Sequence, residues 1–276
     1  MRNTAASALS AALILTALAA LVALAGCVRS DVASAMASDP AWVRLDAADP
    51  LPAVGWVRGR ARAVHVYIEG DGVAYSTPTS PSPDPTPITP TALLLAQQDD
   101  APAVAYLGRP CQYVSGGACA SECWTSGRFS KAVLRTMNTL TDAAKAAAGA
   151  DRVVLIGFSG GGAVAALLAE QRPDVAGLVT VCGNLDPAEW TAMHGVTPLY
   201  RSLNPADDAA RLSDLPQTHF LGGADDNVTR RVTDAFVARL APGAPVTVRV
   251  VPGLGHGGAA WAKAWPPLLP GLRLAD

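Results

Sequence analysis

The chain has 276 residues, which is enough for one large domain or two small ones. Half of its residues are hydrophobic and only 16% are charged, so it can bury a sizeable core. Its formal net charge is −2 and no run of Lys or Arg occurs, which argues against nucleic acid as a partner.

The first 26 residues have the pattern of a secretory signal peptide. Arg2 supplies a positive charge, and an apolar stretch rich in Ala and Leu follows it. The stretch ends in Leu24-Ala25-Gly26-Cys27, which resembles the lipobox of bacterial lipoproteins. The resemblance implies cleavage before Cys27, a diacylated thiol and an acylated new amino terminus. The alternatives are an ordinary signal peptide and a retained transmembrane helix.

A lipidated Cys27 predicts the cell envelope as the location of the protein. Several acyl chains hold a protein firmly on a membrane face, so the membrane is a predicted partner. Val28, rather than Asp, follows the cysteine. By resemblance to enteric lipoproteins, this residue implies the outer membrane, facing the periplasm.

Residues 27–50 are small, polar and interrupted by proline, which predicts a tether. Residues 51–276 are predicted to form a single domain. The segment from Ser76 to Pro90 is rich in Ser, Thr and Pro and cannot form a helix or an inner strand. It is either a surface insertion or a loop that overhangs a site.

The rest of the chain alternates between apolar strands and helices. This pattern predicts an α/β domain with a mostly parallel sheet and helices on both faces. The predicted strands are Val64–Glu69, Ala103–Leu107, Arg152–Phe158, Val175–Cys182, Thr218–Gly222 and Val246–Val251, and the predicted helices are Thr91–Gln98, Ser130–Ala148, Gly160–Gln171, Val228–Leu240 and a proline-broken segment from Gly258 to Leu269.

The cysteines predict a disulfide rather than a metal site. An exported protein meets an oxidising compartment, and Gly116-Gly117 lets the chain double back so that Cys111 can pair with Cys119. Cys123 is the alternative partner, and Cys182 lies in an apolar run that predicts a buried thiol. Because paired CxxC spacing and a GxxxxGK loop are both missing, no metal and no cofactor are predicted.

The strongest functional signal is Gly157-Phe158-Ser159-Gly160-Gly161, which matches the G-x-S-x-G pattern. A β-branched strand precedes it and an Ala/Leu-rich helix follows, which is the context that a nucleophilic serine needs. The turn is so tight that side chains beside the serine would clash. Ser159 is therefore the predicted nucleophile. The alternative is a glycine-rich turn that only links strand to helix.

A serine hydroxyl needs a base, and the chain has four histidines. His65 and His219 lie inside predicted strands and are expected in the core or at an edge. His194 is placed in a loop, where it could bind substrate. His256 lies in a Gly-flanked loop after the last strand, at the carboxyl end of the sheet where open parallel sheets bind ligands. His256 is the predicted base.

The base needs a carboxylate to orient it. Asp225 and Asp226 are adjacent in one strand-to-helix loop, and Asp225 is preferred because its spacing leaves Val228 to begin the helix. Asp226 is then a helix cap or a solvated neighbour. Asp186, after the Val175–Cys182 strand, is the third candidate.

The order Ser159, Asp225, His256 is that of α/β-hydrolases, and the sequence resembles that superfamily from about Val64 to His256. The resemblance implies the α/β-hydrolase fold and an oxyanion hole made of two backbone amides. One is that of Gly160, the residue after the nucleophile. The other belongs to a loop that usually reads His-Gly-x-Gly and here reads Glu69-Gly70-Asp71-Gly72, which points to the amide of Asp71.

Segments such as Gly108-Arg109-Pro110-Cys111, Trp124–Phe129 and Asn184-Leu185-Asp186-Pro187 resemble a narrower group of exported bacterial lipoprotein hydrolases. Within them, Arg109 and Arg128 could bind an acidic substrate group, or they could pin the loops together.

The predicted function is hydrolysis of a carboxylic ester through an acyl-enzyme on Ser159, with a small-molecule or acyl substrate. A peptidase or a thioesterase of the same fold is the nearest alternative. A non-catalytic, lipid-anchored envelope binding protein is the alternative from a different class, but it has no need for Ser, Asp and His in this order.

Overall fold

The structure is a computed structural model that describes residues 35–36 and 38–272. One large sheet forms its centre. The predicted signal segment and Cys27 lie outside these residues. Within the described part of the chain, no helix is both long enough and apolar enough to cross a membrane.

The sheet has eight strands in the order β1-β2-β6-β3-β7-β8-β9-β10. Strand β2 runs antiparallel to both of its neighbours, and all other adjacent pairs are parallel. The sheet strands are β1 Val43–Ala47, β2 Ala53–Gly59, β3 Ala63–Ile68, β6 Ala103–Leu107, β7 Arg152–Phe158, β8 Val175–Val181, β9 Gln217–Gly222 and β10 Val246–Val251, and β4 Tyr75–Thr77 pairs with β5 Ser80–Pro81 in a separate short hairpin.

Helices cover both faces of the sheet, because the central strands are apolar on both sides. Along β7, Val153 and Leu155 face one hydrophobic cluster and Val154 and Ile156 face the other, as the two-residue period of a strand requires. The helices are α1 Thr91–Ala96, α2 Lys131–Ala148, α3 Gly160–Ala169, α4 Pro187–His194, α5 Arg230–Val237 and α6 Ala259–Ala264, with 3-10 turns at Ser121–Trp124, Pro205–Asp207, Ala209–Leu212 and Pro266–Gly271. Helices α2, α3 and α5 pack on the first cluster, and α1 and α6 on the second.

The predicted tether was wrong for its last residues, because Val43–Ala47 forms strand β1 at the edge of the sheet. Leu45 and Ala47 are buried in the core while Val43 is 59% exposed. Strand β2 was also missed. The described residues form one domain, and the domain begins before residue 51.

Two further expectations are resolved by the structure. Part of the Ser76–Pro90 segment forms the short β4–β5 hairpin, and Pro87, Ile88 and Thr89 near its end line a cavity at the carboxyl edge of the sheet. His194 was expected in a loop, but it is the last residue of α4, which Gly195 then ends in a left-handed conformation.

Candidate active site

Ser159 occupies the tight turn between β7 and α3. Its backbone has φ 51° and ψ −121°, a conformation that a residue with a side chain rarely adopts and that stores strain. Its glycine neighbours cannot be replaced, since a β-carbon on Gly157 would lie 2.3 Å from the carbonyl oxygen of Gly161. A β-carbon on Gly161 would in turn lie 2.2 Å from the carbonyl oxygen of Ile68. The turn therefore presents the serine hydroxyl at the carboxyl edge of the sheet.

His256 lies between Ser159 and Asp225. Its Nε2 is 2.9 Å from Oγ of Ser159, and its Nδ1 is 2.9 Å from Oδ2 of Asp225. The ring packs against Phe158, with 5.3 Å between the ring centroids. Asp225 and His256 follow β9 and β10, respectively, so the parallel sheet brings together three residues that are far apart in sequence.

The three candidate carboxylates differ in their burial and in their hydrogen-bond partners. The side chain of Asp225 is fully buried, and its Oδ1 accepts hydrogen bonds from the backbone amides of Asn227 and Val228. Burial alone would raise the pKa of Asp225, but the hydrogen bond from His256 and the nearby imidazolium charge hold it below its usual range. Asp226 is exposed, and Asp186 caps α4 through the amides of Ala188 and Glu189.

The two amides expected to form an oxyanion hole adjoin the serine. Within the described residues, neither the amide of Asp71 nor that of Gly160 has an acceptor, so both remain available for a ligand oxygen. The carboxylate of Asp71 accepts hydrogen bonds from Arg128 at 2.7 Å and from Arg109 at 3.3 Å. These contacts fix the loop that carries the Asp71 amide.

The sequence left two roles open for Arg109 and Arg128, to bind an acidic substrate group or to pin the loops together. Arg109 is buried, donates to the carbonyl oxygen of Arg128 and to Asp71, and does not line the cavity beside Ser159. Arg128 borders the cavity, but it also donates to Asp71 and, at 2.7 Å, to the carbonyl oxygen of Thr125. The structure therefore supports the alternative that the arginines pin the loops.

Glu69 takes the place of the histidine that α/β-hydrolases usually carry before the oxyanion loop. It is fully buried, and its Oε1 accepts the amides of Gly70 at 2.9 Å and Ala92 at 3.4 Å. Its Oε2 accepts the hydroxyl of Tyr106 at 3.1 Å. Burial raises the pKa of Glu69 to about 7, although these hydrogen bonds oppose the shift. Glu69 therefore ties the oxyanion loop to α1.

A cavity of about 550 Å³ opens above Ser159 and His256. One wall is the loop that carries the β4–β5 hairpin, so of the two alternatives for Ser76–Pro90 the structure supports the overhanging loop. The other wall comes from residues after β8 and β9, among them Asn184, Trp190 and Asn227. No role was predicted for these three residues from the sequence. The position of Asn184 after a predicted strand end was the available signal.

His194, the histidine that could bind substrate according to the sequence, contacts residues of this second wall. Its Nε2 lies 2.7 Å from the carbonyl oxygen of Asn227, and its ring contacts Trp190 with 5.0 Å between centroids. It does not line the cavity.

The ligand atoms of Cys182, Asp225 and His256 lie within 4.8 Å of one another, which is close enough to hold a metal ion. However, Nδ1 of His256 and Oδ2 of Asp225 already share a hydrogen bond. Burial also raises the pKa of the Cys182 thiol, which disfavours the thiolate that a metal needs.

The expected Cys111–Cys119 disulfide is confirmed, and Cys123 and Cys182 are free thiols.

The strand order, the antiparallel β2 and the Ser159 turn between β7 and α3 decide the fold. The chain has the α/β-hydrolase fold. A family model described as alpha/beta hydrolase fold matches residues 111–234. No curated protein sequence matches the chain.

Solved α/β-hydrolases have similar structures at low sequence identity. Acylaminoacyl peptidase of Pyrococcus horikoshii has a TM-score of 0.59 at 12% identity over 82% of this chain, which spans only 38% of the peptidase. An alpha-beta serine hydrolase homologue of Coxiella burnetii has a TM-score of 0.57 at 14% identity, over 82% of this chain and 95% of its own. Est1E of Butyrivibrio proteoclasticus, solved with ferulic acid bound, has a TM-score of 0.59 at 13% identity, over 83% and 98%. These similarities establish the fold.

Proposed function

We propose that this α/β-hydrolase is a serine hydrolase that cleaves carboxylic esters through an acyl-enzyme on Ser159. The observation that carries the proposal is the pair of 2.9 Å hydrogen bonds by which His256 joins Ser159 to Asp225. This geometry lets one imidazole accept the serine proton while a buried carboxylate holds its opposite nitrogen.

In the acylation step, Oγ of Ser159 attacks the ester carbonyl carbon while its proton passes to Nε2 of His256. Asp225 keeps Nδ1 of the ring protonated and stabilises the imidazolium that forms. The carbonyl oxygen becomes an oxyanion, which the amides of Asp71 and Gly160 stabilise. As the tetrahedral intermediate collapses, the bond to the alcohol oxygen breaks and His256 gives its proton to the departing alcohol.

In the deacylation step, water replaces the alcohol. His256 takes a proton from the water as its oxygen attacks the acyl carbon, and the same two amides hold the second oxyanion. Collapse breaks the bond to Oγ of Ser159, which recovers its proton from His256. The acid leaves and the free enzyme is restored.

Two observations support an esterase over the alternatives. The chain spans 98% of the length of Est1E but only 38% of the acylaminoacyl peptidase, so most of the peptidase chain has no counterpart here. The hydrogen bonds that align His256 with Ser159 and Asp225 also argue against a purely binding protein, which has no need of a base beside the serine. Peptidase and thioesterase activities remain the alternatives within the same mechanism.

A fluorophosphonate and short p-nitrophenyl esters test the proposal directly. The phosphonate should label Ser159, and the esters should be hydrolysed, whereas Ser159→Ala should abolish both. Turnover of p-nitroanilides and thioesters with the same acyl groups measures the alternative peptidase and thioesterase activities. Full ester turnover by Ser159→Ala would remove Ser159 from the mechanism, and unlabelled, inactive wild-type protein would favour the binding protein.

We also propose that the enzyme is anchored to the outer membrane, facing the periplasm, by lipid on Cys27. The support is the Leu24-Ala25-Gly26-Cys27 sequence, together with a disulfide that suits an exported protein. Mass spectrometry of the native protein should find acyl chains on Cys27. A mature, unmodified amino terminus at another residue would contradict the lipid anchor.

A further inference from the structure

The side chain of Asn184 is buried beside the nucleophile without a hydrogen bond. Only 3% of the residue is exposed, and it borders the cavity above Ser159. Its Oδ1 has no partner, and its Nδ2 donates no hydrogen bond within the described residues. A buried carboxamide oxygen without a partner is costly, and in a native protein it calls for an explanation.

The backbone holds Asn184 in a fixed place relative to the nucleophile. Its amide donates a 2.9 Å hydrogen bond to the carbonyl oxygen of Ser159. Gly183 precedes it in a turn so close to β8 that a β-carbon there would lie 2.7 Å from Cβ of Thr180. The backbone from which the carboxamide extends is therefore held in place at the cavity.

The other buried and half-buried polar side chains around the cavity already have partners. Asn227 accepts a hydrogen bond from the indole of Trp190 at 3.3 Å, and Glu69 accepts three hydrogen bonds. Asp71 and Arg128 are paired with each other. Since the charged groups are compensated by one another, the unpaired Asn184 favours a neutral polar group on the ligand over a charged one.

We propose that Asn184 determines substrate specificity by binding a hydroxyl group of the substrate, so that the esters hydrolysed at Ser159 are hydroxylated ones. This inference rests on the proposed esterase function. In the orientation shown, Oδ1 is fully buried and Nδ2 is the atom that a ligand can reach, so a hydroxyl oxygen would accept its hydrogen bond. With the amide rotated by 180°, the same hydroxyl would donate to Oδ1 instead. An ester without the hydroxyl leaves the amide unpaired in the complex, and the enzyme discriminates against it.

The hydroxyl could lie on the acyl side or on the alcohol side of the ester, and matched substrates distinguish the two. For the acyl side, p-nitrophenyl butyrate is compared with its 2-hydroxy and 3-hydroxy analogues. For the alcohol side, propyl butyrate is compared with glyceryl monobutyrate by titrating the acid released. In each arm the readout is the ratio of kcat/KM for the hydroxylated ester to kcat/KM for its plain counterpart.

The wild-type enzyme should prefer the hydroxylated ester in one arm. Asn184→Leu, which keeps the side-chain shape, and Asn184→Ala should each lower the ratio in that arm about tenfold. Asn227→Leu is the matched control. It changes a cavity asparagine that already has a partner, so it should leave the ratio within about twofold of wild type, whatever it does to the absolute rates.

Each outcome is decisive. If both Asn184 variants leave the ratio unchanged in the two arms and still hydrolyse the plain esters, the proposed role of Asn184 is overturned. The esterase function then stands. An equal fall of the ratio in Asn227→Leu would also overturn the role of Asn184. Wild-type protein that hydrolyses no ester in either arm would overturn the esterase and this inference together.

Discussion

The carboxylate of Asp71 lies directly against the backbone of Gly160, where an added β-carbon would come within 2.1 Å of its Oδ1. The side chain of one residue of the proposed oxyanion hole is therefore packed against the backbone of the other. Because Arg109 and Arg128 hold the same carboxylate from the other side, it cannot retreat without breaking two ion pairs.

We predict that Gly160→Ala lowers kcat for ester hydrolysis by about 100-fold or more. The new methyl group must push Asp71 away, which displaces one or both oxyanion donors, and loss of one such donor costs about 100- to 1,000-fold. Steady-state kinetics with p-nitrophenyl esters measure the effect.

Gly117→Ala is the control for that substitution, since no atom lies within 4 Å of a β-carbon at Gly117. Its kcat should stay within about twofold of wild type and its thermal midpoint should hardly move. Normal turnover by Gly160→Ala would show that the Asp71 loop adjusts freely.

Substitution of the two adjacent carboxylates should separate their roles. Asp225→Asn should lower kcat by about 10⁴-fold, because the amide can no longer hold the histidine tautomer that accepts the serine proton. Asp226→Asn changes an exposed side chain of the same loop and should retain near-wild-type kcat. The reverse pattern would assign the orienting carboxylate to Asp226.

The burial of Glu69 predicts a dependence of stability on pH. Its pKa is raised to about 7 in the folded protein, compared with 4.5 for an ordinary glutamate. Between these pH values the folded state binds more protons than the unfolded state, so the contribution of Glu69 to stability falls as the pH rises. It stays constant at lower pH, where both states carry the proton.

The free energy of unfolding of Glu69→Gln relative to wild type should therefore increase by about 3 kcal/mol from pH 4.5 to pH 8. Urea titrations of both proteins across this range measure it. Burial also raises the pKa of Glu170, to about 8. Because Glu170 is present in both proteins, its contribution cancels in the difference between their free energies of unfolding. Parallel stability curves would show that Glu69 ionises as readily in the folded chain as in the unfolded one.

The cysteines should differ in reactivity and in their effect on stability. Without reductant, an alkylating agent should modify Cys123 in the native protein and spare Cys111, Cys119 and the buried Cys182. Cys119→Ser should lower the free energy of unfolding by about 2–3 kcal/mol, because it opens a closed loop. Cys123→Ser should change it by less than about 0.5 kcal/mol. A Cys111 that alkylates freely would show that the bridge is absent.

The sequence predicts the centre of this fold better than its edges. Strands β6 and β7 begin and end where the apolar runs do, because nearly every residue along them is buried. Strand β10 also matches its predicted range, although it lies at the other edge and is only half-buried, because it is rich in β-branched residues. Strand β1 alternates polar and apolar residues at the edge of the sheet, and β2 contains Gly55 and Gly59. Neither carries the continuous apolar pattern on which strand prediction depends.

The catalytic geometry was predictable where local conformation dictates the residue, as at the glycines around Ser159. It was not predictable where the role of a side chain depends on distant partners. Arg109 meets Asp71 across 38 positions of sequence, and His194 meets the carbonyl oxygen of Asn227 across 33. The unpaired state of Asn184 likewise emerges only when every neighbour is in place.

The direction of strand β1 bears on how the enzyme would face its membrane. Strand β2 is antiparallel to both β1 and β6, so β1 runs in the same direction as the parallel strands. Its first residue, Val43, therefore lies at the end of the sheet opposite Ser159. Trp42, just before it, packs at 5.4 Å on Arg58 at that same end. With Cys27 lipidated as proposed, the anchored end of the chain would join the sheet at the end remote from Ser159. The attachment point of β1 and the mouth of the cavity would then lie at opposite ends of the strands.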